Sequence, residues 1–344
     1  MSVLAWVVDV VWAMRKASRS RAIVVTGVVL VTIVAARHTV VAQSGRYKSG
    51  VDLVPLTVTV TDGAGRYVPN LTAADFAVFE EGRPQVVSQF AAGHVPLDVG
   101  FLIDTSSSMR ANLLLAQKAA RGLVHQLRDG DRGAVTGITS TVLLHQLMTP
   151  DLARVDAALR STRAEGNTAL YEALYIALRQ YQQDRMDATE VRRGVIVLLS
   201  DGVDTSSHVT FEDVLDQVRR VDVTIYVVSL TDDPSLAKAV VADRGSFESA
   251  HALSRFASES GGRLFTPRTA RELPQIYEAI GQELSSQYVL GYVPAGWGGD
   301  ALFRRVSVGV LQPRAGMART RAGYYADRTR AAAGLSSSTG WSAR

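Results

Sequence analysis

Apolar and polar side chains alternate at the start of the regular part of the chain. Residues 56–61 read Leu-Thr-Val-Thr-Val-Thr, which places the apolar side chains on one face of a strand. The turn-forming sequence Asp-Gly-Ala-Gly follows at 62–65. Two further short runs, 76–79 and 86–90, flank a second turn. Residues 51–94 are therefore predicted to form the first part of a small antiparallel β module.

The rhythm changes after residue 95, where short apolar runs alternate with stretches of helical periodicity. Continuous apolar runs are typical of strands that are buried on both faces. The predicted strands are 98–103, 134–139, 141–147, 195–199, 223–230 and 263–265. The predicted helices are 109–127, 152–164, 170–184, 211–221, 251–260 and 271–286. This alternation predicts an α/β domain over 95–280, built on a doubly wound, mostly parallel sheet with helices on both faces.

Strand-like alternation returns near the end of the chain. Residues 287–292 and 303–310 alternate again, and 323–325 is a third candidate strand. We predict that 281–326 returns to the β module, so that strands on both sides of the α/β region pair into one sheet. Residues 327–344 are rich in Ala, Ser, Gly and Arg and are predicted to be a disordered tail.

The first 42 residues have the features of an export signal. Basic residues precede the apolar run 22–36, and Val-Val-Ala at 40–42 provides small residues for cleavage before Gln43. An uncleaved membrane anchor is the alternative, because positive flanks suit both. Starting at Met14 would give a compact signal, and we hypothesise that translation begins there. Either reading predicts an extracytoplasmic body, secreted or periplasmic, or anchored by this segment alone.

Charge and cysteine content exclude several classes of function. The first 42 residues hold five of the 37 basic and one of the 33 acidic residues, so the remainder carries 32 of each. A neutral body without a basic stripe argues against nucleic acid as a partner. The chain contains no cysteine, which excludes disulfides, zinc–thiolate sites and thiol nucleophiles.

Three loops that follow predicted strands or precede predicted helices carry oxygen ligands. The first contains Asp104, Ser106 and Ser108, the second contains Thr168, and the third contains Asp201. Each loop alone has an ordinary explanation as a helix cap or a turn. Ligands of open α/β sheets, however, bind beyond the carboxyl ends of the strands. Together the loops offer two carboxylates and three hydroxyls, a set suited to Mg²⁺, Mn²⁺ or Ca²⁺ rather than to zinc.

These loops resemble the metal-ion-dependent adhesion site of von Willebrand factor A domains. The shared pattern is Asp-x-Ser-x-Ser at 104–108, a threonine on the next loop and Asp-Gly after an apolar strand. The resemblance implies that Ser106, Ser108 and Thr168 offer hydroxyl ligands, while Asp104 and Asp201 balance charge partly through water. With only two formal negative charges, the metal would keep an open position for an acidic group of a partner.

The flanking segments resemble bacterial exported proteins with a VWFA-related domain. The similar stretches are Asn-Leu-Thr-Ala-Ala-Asp-Phe at 70–76, Gln-Tyr-Val-Leu-Gly-Tyr at 287–292 and Arg-Ala-Gly-Tyr-Tyr at 321–325. This resemblance covers about residues 50–326 and bears on fold and export more than on activity.

The function expected from these features is divalent-cation-dependent binding of a protein that offers an Asp or Glu carboxylate, with Mg²⁺ as the expected cation. We do not expect an enzyme. The alternative is a hydrolase that uses the cluster Asp104, Ser106 and Ser108, with His208 as a conceivable base. No Gly-x-Ser-x-Gly motif supports it, and nothing near the three loops offers a positioned histidine or lysine. Asp204, close to Asp201, is interpreted as a partner of the site or as a solvated turn acid.

Overall fold

The structure is a computed structural model that describes residues 53–187, 192–200, 204–230, 244–294, 302–312 and 316–326. The predicted leader (1–42) and tail (327–344) lie outside these ranges, and both remain predictions. Within the described residues, no helix combines the length and the apolar character needed to cross a membrane.

The strands and helices follow the predicted order closely. The strands are β1 (Val54–Thr61), β2 (Phe76–Glu80), β3 (Arg83–Gln85), β4 (Val87–Ala92), β5 (Leu97–Asp104), β6 (Arg132–Ile138), β7 (Val142–Thr149), β8 (Arg193–Ser200), β9 (Val223–Ser229), β10 (Arg263–Phe265), β11 (Tyr288–Tyr292), β12 (Phe303–Val310), β13 (Met317–Arg319) and β14 (Gly323–Tyr325). The helices are α1 (Leu113–Val124), α2 (Leu152–Ser161), α3 (Leu170–Asp187), α4 (Phe211–Arg220), α5 (Arg244–Glu259) and α6 (Leu273–Ser285).

Six strands form the central sheet in the order β10-β9-β8-β5-β6-β7. All neighbours are parallel except β6 and β7, which pair antiparallel at one edge. Strands β5 and β8 are buried at every residue, as expected for apolar runs covered on both faces. Helices α1, α2 and α6 cover one face, and α3, α4 and α5 cover the other. The prediction of a mostly parallel, doubly wound α/β sheet is therefore confirmed.

Element boundaries differ from the predictions where local turns compete with helix. The helix predicted at 109–127 begins with a 3-10 turn, Ser107–Ala111, and continues as α1 only from Leu113. Within this turn Met109 is fully buried, whereas its neighbours Ser108 and Arg110 are exposed. The short strand predicted at 86–90 overlaps β4, and a further short strand, β3, begins within the turn predicted before it.

Strands from both sides of the α/β region pair with each other as predicted, but they form two antiparallel sheets rather than one. One sheet has the order β13-β1-β11-β4, and the other has the order β14-β12-β2-β3. Leu56 of β1 lies opposite Leu290 of β11, and Val78 of β2 lies opposite Val308 of β12. The two sheets share one apolar core. The domain boundaries that we predict from the sequence remain a prediction.

Within this core, a buried carboxylate links β2 to strands that follow the α/β region. Glu80, at the end of β2, accepts hydrogen bonds from Tyr292 Oη at 2.7 Å and Tyr324 Oη at 2.8 Å, and pairs with Arg304 Nη1 at 2.9 Å. Burial, together with hydrogen bonding to Glu80, raises the pKa of both tyrosines, so they remain protonated donors at neutral pH. All three partners lie more than 200 residues further along the chain.

A second buried carboxylate, Glu283 of α6, links the β strands to the central sheet. It accepts hydrogen bonds from Tyr226 Oη at 2.7 Å and from the Thr59 and Tyr67 hydroxyls at 3.3 Å each. Arg319 of β13 completes the cluster with an ion pair to the same carboxylate. The helix that ends the α/β region is thereby held to β1, β9 and β13 at once.

Gln287 extends this network to the central strand β8. Its amide nitrogen donates to Thr59 Oγ1 at 3.1 Å, and its amide oxygen accepts from Arg193 Nη1 at 2.8 Å. Arg193 is the first residue of β8, whereas Ser200 is the last. The network therefore meets β8 at its amino end, away from the edge where ligands of such sheets bind.

The cluster around Glu80 predicts a clear change in stability. In Glu80→Ala, two phenols and a guanidinium lose their shared acceptor in a buried site, and we expect a loss of about 3 kcal/mol in the free energy of unfolding. Urea unfolding followed by circular dichroism measures this loss. The control is Glu278→Ala, an exposed position on α6, for which we expect a change within about 0.5 kcal/mol. Equal stability of the two variants would contradict the role of Glu80.

Candidate metal centre

Asp104 is the last residue of β5 and lies at the carboxyl edge of the central sheet. Its side chain is fully buried. Oδ1 accepts the backbone N–H of Ser106 at 2.9 Å, and Oδ2 accepts the hydroxyl of Ser200 at 2.8 Å. Ser200 ends the neighbouring parallel strand β8, so the pairing of β5 with β8 brings the ends of both strands together.

The two serine hydroxyls that follow Asp104 lie side by side. Ser106 Oγ and Ser108 Oγ are 2.8 Å apart and share a hydrogen bond. Ser106 has an extended backbone, and the 3-10 turn begins at the next residue. The hydroxyl of Ser106 is buried with its residue, whereas Ser108 is exposed, so the pair leads from the protein interior to the surface.

The loop with Thr168 is hydrogen-bonded directly to the serine loop. The N–H of Ser107 donates to Gly166 O at 3.0 Å, and the N–H of Glu165 donates to Thr105 O at 2.7 Å. Gly166 has a φ of 74°, and a Cβ at this position would lie 2.8 Å from Ser140 Oγ. Thr168 is buried and comes two residues before α3. The structure therefore brings together Asp104, Ser106, Ser108 and the Thr168 loop.

Asp201, the fifth predicted ligand, lies outside the described residues. Its neighbour Ser200 is placed, and the hydrogen bond from Ser200 to Asp104 was not anticipated from the sequence. The assignment of Asp201 as a ligand therefore stays a prediction.

A segment that the sequence analysis did not connect with Thr168 holds the start of α3. Thr205 Oγ1 accepts the N–H of Thr168 at 3.2 Å, and the N–H of Thr205 returns a bond to Thr168 O at 2.9 Å. Asp204 Oδ1 accepts the N–H of Tyr171 at 3.2 Å, and Ser207 Oγ accepts the N–H of Glu172 at 2.9 Å.

This contact is a helix cap supplied from a distant segment. The first N–H groups of any α-helix lack partners within the helix, and residues 204–207 provide them here. Asp204 is therefore a half-buried capping residue rather than a solvated turn acid. The sequence Asp-Thr-Ser-Ser at 204–207 contains side chains typical of helix caps. Its link to α3 is not evident from the sequence, because a capping residue is normally expected just before its helix.

The electrostatics of Asp104 differ from those of the other buried acids. The buried carboxylates of the described residues are Glu80, Asp98, Asp104, Asp131 and Glu283. A basic side chain faces each of the other four within ion-pair distance, namely Arg304, Arg132 with Arg192, His94 and Arg319. Within the same described residues, Asp104 has only neutral N–H and hydroxyl partners. Burial raises its pKa, and the bonds from Ser106 and Ser200 oppose that rise.

The donor set fits a hard divalent cation such as Mg²⁺. In octahedral coordination with bonds of about 2.1 Å, adjacent ligand atoms lie about 3 Å apart. The Ser106–Ser108 separation of 2.8 Å is close to that edge. A cation beside Asp104 would also supply the positive charge that its surroundings lack. In the described ranges, no group of three or more His, Cys, Asp or Glu side chains is arranged to hold a metal, and the described part of the candidate centre offers hydroxyl groups and one carboxylate instead.

The histidines bear on the hydrolase alternative. His208 is 93% exposed and faces Glu172 at 3.5 Å, and the Ser106 hydroxyl bonds to Ser108 rather than to a histidine of the described residues. One histidine does approach the loop from behind: a Cβ on Gly137 would lie 2.8 Å from His145 Nε2 and 3.2 Å from Thr105 Oγ1. Burial lowers the pKa of His145, which favours the neutral imidazole.

The fold and the arrangement of loops agree with a family model. The von Willebrand factor type A domain matches residues 98–279, more than half of the chain. The chain therefore belongs to the von Willebrand factor type A domain family. Domains of this family typically mediate metal-dependent interactions with proteins and are generally binding modules rather than enzymes. No protein of curated function matches the sequence.

Solved structures of low sequence identity are similar to parts of the chain. BatB from Bacteroides thetaiotaomicron is 18% identical, with 55% of this chain and 97% of BatB covered and a TM-score of 0.42. A von Willebrand factor type A protein from Catenulispora acidiphila is 15% identical, with coverage of 81% and 75% and a TM-score of 0.44.

A third similar structure is proximal thread matrix protein 1 from the mussel byssus, with a zinc-occupied MIDAS motif. It is 20% identical, with 58% of this chain covered and a TM-score of 0.42. The match spans about half of the mussel protein, 48% of its length.

The cap on α3 gives a testable change in stability. Asp204→Ala removes the acceptor for Tyr171 N–H and for the Ser207 hydroxyl, and we expect a loss of about 1 kcal/mol in the free energy of unfolding. Asp204→Asn retains an acceptor oxygen, so most of the stability should remain. Urea titrations of the three proteins measure both values. A loss in Asp204→Asn as large as that in Asp204→Ala would show that charge, and not capping, is at work.

Proposed function

We propose that this protein is an exported, divalent-cation-dependent binding module for a protein partner. The observation that carries the proposal is the environment of Asp104. This acid is buried, its described hydrogen-bond partners are all neutral, and it lies in the same loop as two serine hydroxyls that are 2.8 Å apart. Asp104, Ser106, Ser108, Thr168 and Asp201 would hold the cation. Mg²⁺ is the proposed metal, with Mn²⁺ or Ca²⁺ as alternatives of the same ligand preference.

The balance of charge supports a role for the partner in completing the site. Two carboxylates and three neutral hydroxyls leave a dication without further anionic ligands, so that an Asp or Glu side chain of a partner is a favourable addition. Access supports the same role, because Ser107, Ser108 and Asn167 are exposed around the site. The metal would supply electrostatic attraction for that carboxylate, and the loops of the protein would orient it.

Metal binding is tested first by calorimetric titration of Mg²⁺ and Mn²⁺ into the purified full-length chain. Asp104→Asn and Thr168→Val keep side-chain shape while removing a charge and a hydroxyl, and we expect each to weaken binding roughly 10- to 100-fold. Asp129→Asn, an exposed acid away from the three loops, should bind as the parent does. Unchanged binding in Asp104→Asn would refute the site.

Thermal unfolding provides an independent measurement on the same variants. Without metal, Asp104→Asn removes a buried charge that lacks a counter-charge, so it should be at least as stable as the parent. With Mg²⁺ present, the melting temperature of the parent should rise, because bound metal stabilises the folded state. The melting temperature of Asp104→Asn should not rise, because this variant is expected to bind the metal poorly.

The open position is tested with acetate as the probe of a partner carboxylate. With the chain loaded with Mn²⁺, acetate should lower the relaxation of water protons by replacing metal-bound water, and acetamide should not. An identical response to both compounds would argue against carboxylate recognition.

Export is proposed from the leader at 1–42 and is tested by fractionation of a bacterial host that expresses the full-length chain. A mature protein outside the cytoplasm that begins at Gln43 supports a cleaved signal. Retention in the membrane with an intact amino terminus would instead support an anchor, and a precursor locked against cleavage shows whether translation begins at Met1 or Met14. A cytoplasmic product would contradict export.

A further inference from the structure

A cleft lies where the edge strands of two sheets meet, away from the three loops of the candidate metal centre. Its volume is about 470 Å³, within the range of about 300–1,000 Å³ typical of small-molecule sites. Residues of β1, α5, β10, α6 and β13 line it, together with the turn after β1. None of the candidate metal ligands is among them.

Two arginines and one glutamate give the cleft a net positive charge. Arg319 pairs with Glu283 and also donates to Gly262 O, so its charge is balanced within the protein. Arg263 is exposed, and no carboxylate of the described residues pairs with it. Its guanidinium lies 4.7 Å from the centre of the Phe265 ring, which holds it in one orientation without neutralising it.

Tyr67 shows that both guanidinium groups act on the same part of the cleft. Burial, together with the charge of Glu283, raises the pKa of Tyr67 to about 12, and the charges of Arg263 and Arg319 both oppose that rise. At neutral pH the phenol is therefore protonated, and its oxygen lies 3.3 Å from Glu283 Oε2. The charges of both arginines therefore act at the position of the Tyr67 hydroxyl, where burial and Glu283 outweigh them.

The walls of the cleft are partly apolar. Ala257, Leu264 and Met317 are among the lining residues, and Met317 is 70% exposed. Hydroxyl groups of Ser254 and Thr61 lie among them. A bound molecule would therefore meet apolar surface as well as positive charge, which selects against a bare inorganic ion.

We propose that this cleft binds a small organic acid, with the carboxylate at Arg263 and an apolar body in contact with lining residues such as Leu264 and Met317. Charge complementarity carries the assignment, because Arg263 is a donor fork whose charge no described acid offsets. The site is independent of the proposed metal centre, and its ligand requires no cation.

The test uses the full-length chain, freed of metal on a chelating resin, and the fluorescent anion 8-anilinonaphthalene-1-sulfonate as the probe. Saturable binding is expected, and Arg263→Gln should weaken it by about five- to tenfold. Arg179→Gln, an exposed arginine of α3 outside the cleft, is the matched control and should bind as the parent does. Ser254→Phe, which fills the cleft from an exposed position on α5, should abolish binding.

Competition with the probe identifies the chemistry that is recognised. N-acetyl-leucine should displace it, whereas N-acetyl-leucinamide, which lacks the carboxylate, and sodium sulfate, which lacks the apolar body, should not at the same concentration. Absent or unsaturable binding, equal affinity of Arg263→Gln and the parent, or equal displacement by the amide or by sulfate would overturn the proposal. Circular dichroism and the melting temperature confirm that each variant is folded, and the titration is repeated with Mg²⁺ to show independence from the metal centre.

Discussion

The complete enclosure of β5 is the constraint on which the rest of the structure depends. The strand lies between β6 and β8 with helices on both faces, and all eight residues of Leu97–Asp104 are buried. The last residue of such a strand lies at the carboxyl edge of the sheet. Its own side chain stays buried, and only the loops around it reach solvent. Asp104 is therefore held in place by burial. Hydrogen bonds from the surrounding loops must offset the free energy lost when its carboxylate leaves water.

Those contacts also connect the separate loops into one unit. Ser200 binds Asp104 from β8, Gly166 accepts a hydrogen bond from the serine loop, and Thr205 pairs with Thr168. Each loop is thus held by hydrogen bonds to a neighbouring loop or strand end. At the amino end of β8, Arg193 and Gln287 join the central sheet to β1. Strand β8 therefore connects the network around Glu283 at its amino end with the loops around Asp104 at its carboxyl end.

The sequence predicted those parts of the structure that depend on local pattern. Apolar runs such as 195–199 identify strands buried on both faces, and the spacing of Asp104, Ser106 and Ser108 identifies a loop that the structure does bring to the edge of the sheet. The capping of α3 by Asp204 could not be derived in this way, because the partners are 33 residues apart and β8 lies between them in the chain. The approach of His145 to Thr105 likewise depends on the pairing of β6 with β7 and on the missing side chain at Gly137.

A comparison among the buried acids of the described residues explains why we propose one of them, Asp104, as part of a cation site. Glu80 and Glu283 each have two tyrosine hydroxyls and an arginine, and those arginines come from the C-terminal strands that close the β sheets. Their charges are balanced as soon as the chain folds. Asp104 has comparable burial, but its described donors are neutral. Folding neutralises the first two carboxylates with arginines of the chain itself, so these two stabilise the closed structure. The third has only neutral described donors at the edge of the sheet, and in the function that we propose a metal ion supplies its counter-charge.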